Sequence, residues 1–209
     1  MNIGLDGAYA IKSGSDKDNF VERSEYVAHV IETLATDYPQ SRLFVYTPKL
    51  SRKTRLNLID DLHNAGYRLP APSGFTGRMW RIFGITNCLQ ADKVEVYHGL
   101  NGELPLNISS AHVPAVVTVR ESDIALFDAP LGLFDVVQKI RRYILRNSWR
   151  NATFIIVSSE VHKSTLMKRF AIEESKIEVI PVADHTAVTL MSLYQKAIAL
   201  CGIDSLGHS

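Results

Sequence analysis

Hydrophobic and polar positions along this chain switch repeatedly between two periods. Short β-branched or aromatic runs occupy residues 1–6, 42–47, 94–97, 114–119, 153–158 and 176–182, and each ends abruptly in polar residues. Runs of this length and composition predict buried parallel strands. Residues 67–72 predict at most a short edge strand, because Pro70 and Pro72 cannot donate to a ladder. Between the runs the apolar spacing becomes helical. Phe20, Ser24, Val27, Ile31 and Leu34 fall on one stripe of a helix that begins at Asn19 and is ended by Pro39. Leu56, Ile59, Leu62 and His63 mark a second helix, stopped by Gly66, and residues 77–89 a third with Trp80, Phe83 and Ile85 partly inside. The longest helix is predicted over 131–151, with Leu133, Val137, Ile140 and Ile144 turned inward. Ser159 is placed to cap a helix carrying Leu166 and Phe170. A last helix from Asp184 to Gly202 carries Leu190, Tyr194, Ala197 and Cys201 on one side.

Strands alternating with helices imply βαβ units. About seven strands fit this length, so the expected fold is α/β: one doubly wound, Rossmann-like domain with a mainly parallel sheet. Ligands of such sheets collect beyond the carboxyl ends of the strands, which draws attention to residues 94–121. There, Val94, Val96 and Tyr97 lead into His98, Gly99, Asn101 and Glu103, and Val116, Val117 and Val119 lead into Arg120, Glu121 and Asp123.

Composition narrows the class of partner. With 23 basic and 22 acidic residues the formal net charge is +1, so no global field favours nucleic acid or a membrane. Cys88 and Cys201 lie far apart without metal or disulfide spacing, which points to a reducing, cytoplasmic compartment. The N-terminus reads as a strand leaving from the initiator methionine and not as a signal peptide. No apolar run is long enough to span a bilayer.

Nucleotide fingerprints are missing. The turn after the first strand offers Gly4 and Gly7 but no G-x-G-x-x-G, and no G-x-x-x-x-G-K-[ST] occurs. A flavodoxin-like regulator fits poorly, since no acidic cluster for a cation accompanies Asp6 in sequence. Ser13, Gly14 and Ser15 either receive an anion on free backbone N–H groups or form a plain polar loop. His98 at a strand end either meets a hydroxyl or phosphate, acts as a base, or is satisfied by backbone. Glu103 is a hydroxyl ligand or a helix-dipole partner, Arg120 and Glu121 either serve a ligand or neutralise one another, and Glu160 is a candidate by position. Lys139, Arg142, Arg146 and Arg150 recur at helical spacing, as a solvated face or as a surface for acidic lipid; Trp149 beside Arg150 adds slightly to the second reading.

Several stretches carry a family resemblance. Residues 96–106, Val-Tyr-His-Gly-Leu-Asn-Gly-Glu-Leu-Pro-Leu, resemble the "YHGLxNELPL" signature of family-four retaining glycosyltransferases of the two-Rossmann (GT-B) type, which build bacterial surface polysaccharides. In the same order, residues 1–6 resemble the opening strand, 113–119 the "VPxVVTxHD" strand, 155–160 with Lys163 the "IIAxSExTKxD" turn, and 176–181 the strand ending the first domain. Three departures accompany the likeness. Ser13-Gly14-Ser15-Asp16-Lys17-Asp18 stands where the family has a Gly-Gly loop. Arg120-Glu121 stands where it has His-Asp, and arginine cannot act as a base at ordinary pH. The second Rossmann domain is absent: after Val182 the chain passes at once to a helix similar to the terminal helix that crosses back onto the first domain.

The resemblance implies an acceptor-side domain over 1–182 and a returning C-terminal helix over 183–209. It implies sugar transfer from a nucleotide-sugar donor to a glycan or lipid-linked sugar acceptor, without a bound cofactor or metal and without nucleic acid. His98, Gly99, Asn101, Glu103, Arg120, Glu121 and Glu160 would line this half of the cleft. With the donor domain missing, the chain alone is expected to transfer no sugar. A non-catalytic module binding a glycan or a protein is the alternative, favoured by the lost glycines and the lost histidine.

Overall fold

The computed structural model describes residues 1–8, 18–47, 62–69, 77–132 and 135–206. Seven strands form one sheet, all pairs parallel: β1 (Asn2–Asp6), β2 (Arg42–Tyr46), β3 (Ala65–Arg68), β4 (Val96–Gly99), β5 (Ala115–Thr118), β6 (Phe154–Val157) and β7 (Ile177–Val179). Their order is β3-β2-β1-β4-β5-β6-β7, so the winding reverses between β1 and β4. This is the doubly wound sheet that the alternation of periods predicts, and its switch point is where open parallel sheets bind ligands.

Register assigns each side chain to a layer, because alternate residues point to opposite faces. Ile3, Leu5, Leu43, Val45, Val96, Val116, Phe154 and Ile156 face one way, against α1 (Asp18–Asp37) and α6 (Ala187–Leu206). Phe44, Tyr46, Tyr97, Val117, Ile155 and Val157 face the other way. That second layer holds α2 (the successive pieces Gly77–Met79, Trp80–Gly84 and Ile85–Ala91, the middle one a π-helical turn), α4 (Val136–Asn151) and α5 (Glu160–Phe170). A short α3 (Glu121–Ala125) follows β5. On α1, Val27, Ile31 and Leu34 are fully buried, as their spacing predicts. Ser159 caps α5, its hydroxyl accepting from the His162 N–H at 3.3 Å.

Other expectations need correcting. Gly66 does not stop a helix but lies inside β3, the edge strand, which starts two residues earlier than the Tyr67 of the sequence reading. Leu62 and His63 precede that strand outside any helix, whereas Leu56, Ile59, Pro70 and Pro72 lie outside the described residues. β4 runs on through His98 and Gly99, two positions beyond the predicted end. The long helix begins at Val136 and seats itself on Ile144, Leu145, Ser148 and Trp149; Val137 and Ile140 are 62% and 46% exposed instead of buried. Trp149, read as a surface residue beside Arg150, is fully buried against Phe127 and Phe170. The last helix starts at Ala187 and continues past Gly202 to Leu206. It lies on the sheet, with Ala187, Leu190, Met191, Leu193, Tyr194 and Ala197 buried against it.

Candidate functional site

A cavity of about 440 Å³ opens at the carboxyl ends of β5 and β6. Thr118, Val119, Arg120 and Glu121 come from the end of β5 and the start of α3; Val157 and Ser158 from the end of β6. Glu22, Glu25, Tyr26 and His29 come from successive turns of α1, and Val182 and His185 from the segment before α6. The size is that of small-ligand pockets, and the lining mixes hydroxyls, carboxylates and one guanidinium around apolar patches. Arg120 lies with its guanidinium 4.5 Å over the Tyr26 ring and 3.4 Å from a Glu22 oxygen. Its Nε is buried without a hydrogen-bond partner. Burial first, and then the nearby Arg23, pull its pKa below the ordinary arginine value. Arg120 thus pairs with Glu22, and of the two alternatives the sequence left open the mutual neutralisation of Arg120 and Glu121 is not the one formed.

Beneath the cavity runs a hydrogen-bonded chain. Tyr194 Oη lies 2.7 Å from His98 Nδ1, and His98 Nε2 lies 2.8 Å from Thr118 Oγ1. Thr118 Oγ1 lies 3.2 Å from Tyr26 Oη, Tyr26 Oη 2.9 Å from His185 Nδ1, and His185 Nε2 2.9 Å from the Ile180 carbonyl. A carbonyl only accepts, so His185 Nε2 carries a proton and its Nδ1 accepts from Tyr26. Tyr26 in turn accepts from Thr118, Thr118 from His98 Nε2, and His98 Nδ1 from Tyr194. One carbonyl therefore fixes every donor in the series. Burial holds His98 at a pKa of about 3 and lowers that of His185, so both rings are neutral at pH 7. Burial raises Tyr26 to about 12.

The sequence-predicted residues divide accordingly. His98 is fully buried on the face covered by α6, with both ring nitrogens engaged; register placed it there once β4 extended beyond Tyr97. A Cβ at Gly99 would stand 2.3 Å from the Glu103 carbonyl oxygen, so glycine is what lets the chain fold back at the strand end. Asn101 is buried and donates to Asp6 Oδ2 at 3.1 Å. Glu103 joins a network in which three carboxylates alternate with three guanidiniums. Arg81 contacts Asp6 at 3.0 Å and Glu103 at 3.5 Å, Arg141 contacts Glu103 at 3.7 Å and Asp123 at 3.5 Å, and Arg23 contacts Asp123 at 2.7 Å. Burial opposes the charge on Arg81, but Asp6 and Glu103 more than offset it and its pKa lies above the ordinary value. Arg120 and Glu121 line the cavity, whereas Glu160 lies on a separate shallow groove of α5. Ser13, Gly14 and Ser15 fall outside the described residues. Tyr26, His29, Ser158 and His185 escaped the sequence reading. Tyr26 gave the one available signal, a polar-tipped aromatic beside Val27 on an apolar helix face.

No family model and no curated protein matches the sequence. Solved structures do match. The apo form of the lipopolysaccharide outer core galactosyltransferase WaaB aligns over 87% of this chain and 45% of its own, with 11% identity and a TM-score of 0.51. A glycosyltransferase from Rickettsia africae aligns over 86% and 42%, with 11% identity and a TM-score of 0.43. Phytolacca americana UGT2, solved with UDP-2fluoro-glucose and pterostilbene, aligns over 86% and 53%, with 11% identity and a TM-score of 0.49. The chain spans about half the length of these structures. At such identity the likeness to the galactosyltransferase is one of fold, and this chain has the Rossmann-like α/β architecture found over about half of that enzyme.

Proposed function

We propose that the chain is the acceptor-binding half of a nucleotide-sugar-dependent glycosyltransferase of the surface-polysaccharide type, working in the cytoplasm. The acceptor is a glycan or lipid-linked sugar, and the donor is a nucleotide-sugar held by a second, donor-binding domain. The observation that carries the reading is the cavity at the ends of β5 and β6. It offers Glu25, Glu121 and Ser158 to hydroxyl groups, with Arg120 as an oriented donor. Asn101 and Glu103 support the rim through Asp6 and Arg81. Neither histidine of the buried chain has a ring nitrogen to spare, which leaves both out of the proposed chemistry, and the proposal has the chain alone transfer nothing.

Titration of the 209-residue chain with glucose, galactose, N-acetylglucosamine and UDP-glucose, followed by NMR, tests this. A hexose that shifts Tyr26 and Arg120 resonances, with no turnover of UDP-glucose, is the expected result. Turnover by the chain alone overturns the inactivity, and failure of every sugar to perturb the cavity overturns the acceptor reading. The engagement of both His98 nitrogens favours a second reading, a non-catalytic module for a glycan or a protein. Under that reading no transfer appears when a purified donor domain is added, whereas the first reading has the two halves restore transfer.

A further inference from the structure

The charge on the wall of the cavity is lopsided. Glu22, Glu25 and Glu121 bring carboxylates to its lining, against the single guanidinium of Arg120. Glu22 already answers Arg120 at 3.4 Å, which leaves Glu25 and Glu121 in excess. Both are exposed, and they come from different elements, α1 and α3. Among the described residues neither has an ion-pair partner. The surrounding bases do not restore the balance. Arg23, behind the wall, is held by Asp123 at 2.7 Å, and burial keeps His185 neutral. A proton on His29 would still leave the lining negative, and Asp184 adds a further carboxylate beside His185. These acids are too dispersed for a metal ion: among the described residues no three His, Cys, Asp or Glu side chains converge as a metal site requires. What suits them is an organic cation, whose charge is met by separate carboxylates around a larger body.

We infer that the cavity takes an amino sugar with a free ammonium group in preference to its neutral and anionic analogues, and that Glu25 and Glu121 set this choice. The inference rests on the acceptor reading and deepens it. The ammonium would lie against the wall that Glu25 and Glu121 form, while ring hydroxyls meet Arg120 and Ser158. Val119, Val157 and Val182 supply the apolar patches that cover a sugar ring. A phosphate or carboxylate in the same place would face two uncompensated carboxylates, and like charges brought together in a partly desolvated cleft repel more strongly than in water. Arg120 does not reverse the preference. Its guanidinium is seated 4.5 Å over the Tyr26 ring with Nε buried, and Glu22 offsets its charge.

NMR titration of the 209-residue chain at pH 7 with glucosamine, glucose and glucose 6-phosphate decides it. Glucosamine should shift the Tyr26 and Arg120 resonances with about fivefold greater affinity than glucose, the scale of two exposed ion pairs. Glucose 6-phosphate should bind about fivefold more weakly than glucose or worse. About 0.5 M NaCl should shrink both differences. In the double variant Glu25→Gln/Glu121→Gln the ratio of glucosamine to glucose affinity should fall to about one. Both side chains are exposed, so circular dichroism should show the variant folded. Equal affinity for glucose and glucosamine, or tighter binding of glucose 6-phosphate than of glucose, overturns the inference and leaves the acceptor reading standing. A preference for glucosamine that survives in the double variant also overturns it, because the amine would then be recognised elsewhere. If none of the three sugars perturbs the cavity, the acceptor reading falls and the inference falls with it.

Discussion

The phenol of Tyr194 lies 2.7 Å from Nδ1 of His98, joining the last helix to the central strand across a fully buried contact. The two rings also meet edge to face, with centroids 5.6 Å apart. Because the Ile180 carbonyl fixes the donor order of the whole series, Tyr194 is the donor here and His98 Nδ1 has no other source of a proton. Tyr194→Phe keeps the ring and removes only that donor. It is expected to cost about 1–3 kcal/mol, the penalty of a buried acceptor left without a partner. Urea denaturation of the two proteins measures it; a loss well under that range would mean that water replaces the phenol.

His98 also predicts how stability depends on acidity. Its folded pKa of about 3 lies below the ordinary histidine value of 6.5, so the unfolded chain binds the extra proton between those values. Stability therefore rises with pH in that window: it is fully present above about pH 6.5 and is lost as pH falls towards 3. His185, also lowered by burial, adds in the same sense. One such histidine contributes a slope approaching about 1.4 kcal/mol per pH unit. Denaturation midpoints measured from pH 7 to 5, where most carboxylates remain ionised, should fall in the wild-type chain. The fall should be shallower in His98→Gln, which has no titrating group at that position, and equal slopes would contradict the assignment.

Gly102 supplies a backbone test at the site's edge. Its φ is +77°, and a Cβ there would stand 2.7 Å from Asp123 Oδ2. Gly102→Ala is thus strained both by conformation and by contact with a buried carboxylate that already holds Arg23. A loss of about 1–3 kcal/mol is expected, read as a lower thermal midpoint. Gly132→Ala is the control: φ there is not positive and the nearest atom is an Asp135 oxygen at 3.2 Å on the surface, so little should change.

The sheet was readable from the sequence because β-branched runs and their polar ends are local properties. Registers that depend on where a strand stops were not. Two more residues of pairing carry His98 from a presumed rim position to the covered face, since alternate residues point to opposite sides. The face of α4 was misjudged for a related reason. Val137 and Ile140 repeat at helical spacing as Ile144 does, and periodicity identifies a stripe without saying which of two stripes meets the sheet. His185 gave no signal at all, lying in an irregular segment whose position depends on β7 and α6 packing around it. The acidic residues near Asp6 were likewise invisible in order along the chain: Glu103 and Asp123 approach it only through Arg81 and Arg141.

That network yields a last prediction. Asp123 is fully buried, accepts from Arg23 at 2.7 Å and from the Arg120 backbone N–H at 3.3 Å, and lies 3.5 Å from Arg141. Asp123→Asn preserves shape but replaces the charge that two guanidiniums face, and it leaves Arg23 near Arg120 with less to offset their repulsion. Removing one member of a buried pair typically costs about 3–5 kcal/mol. Arg23→Met alone should also be destabilising, because it strips Asp123 of its closest cation. The double variant should nevertheless be more stable than the sum of the single losses implies, by about 1–3 kcal/mol of coupling. A double-mutant cycle in urea provides the measurement. Strict additivity would show that Arg23 and Asp123 are held by their separate surroundings, and the cavity wall they support beside Arg120 would then have to be explained without the pair.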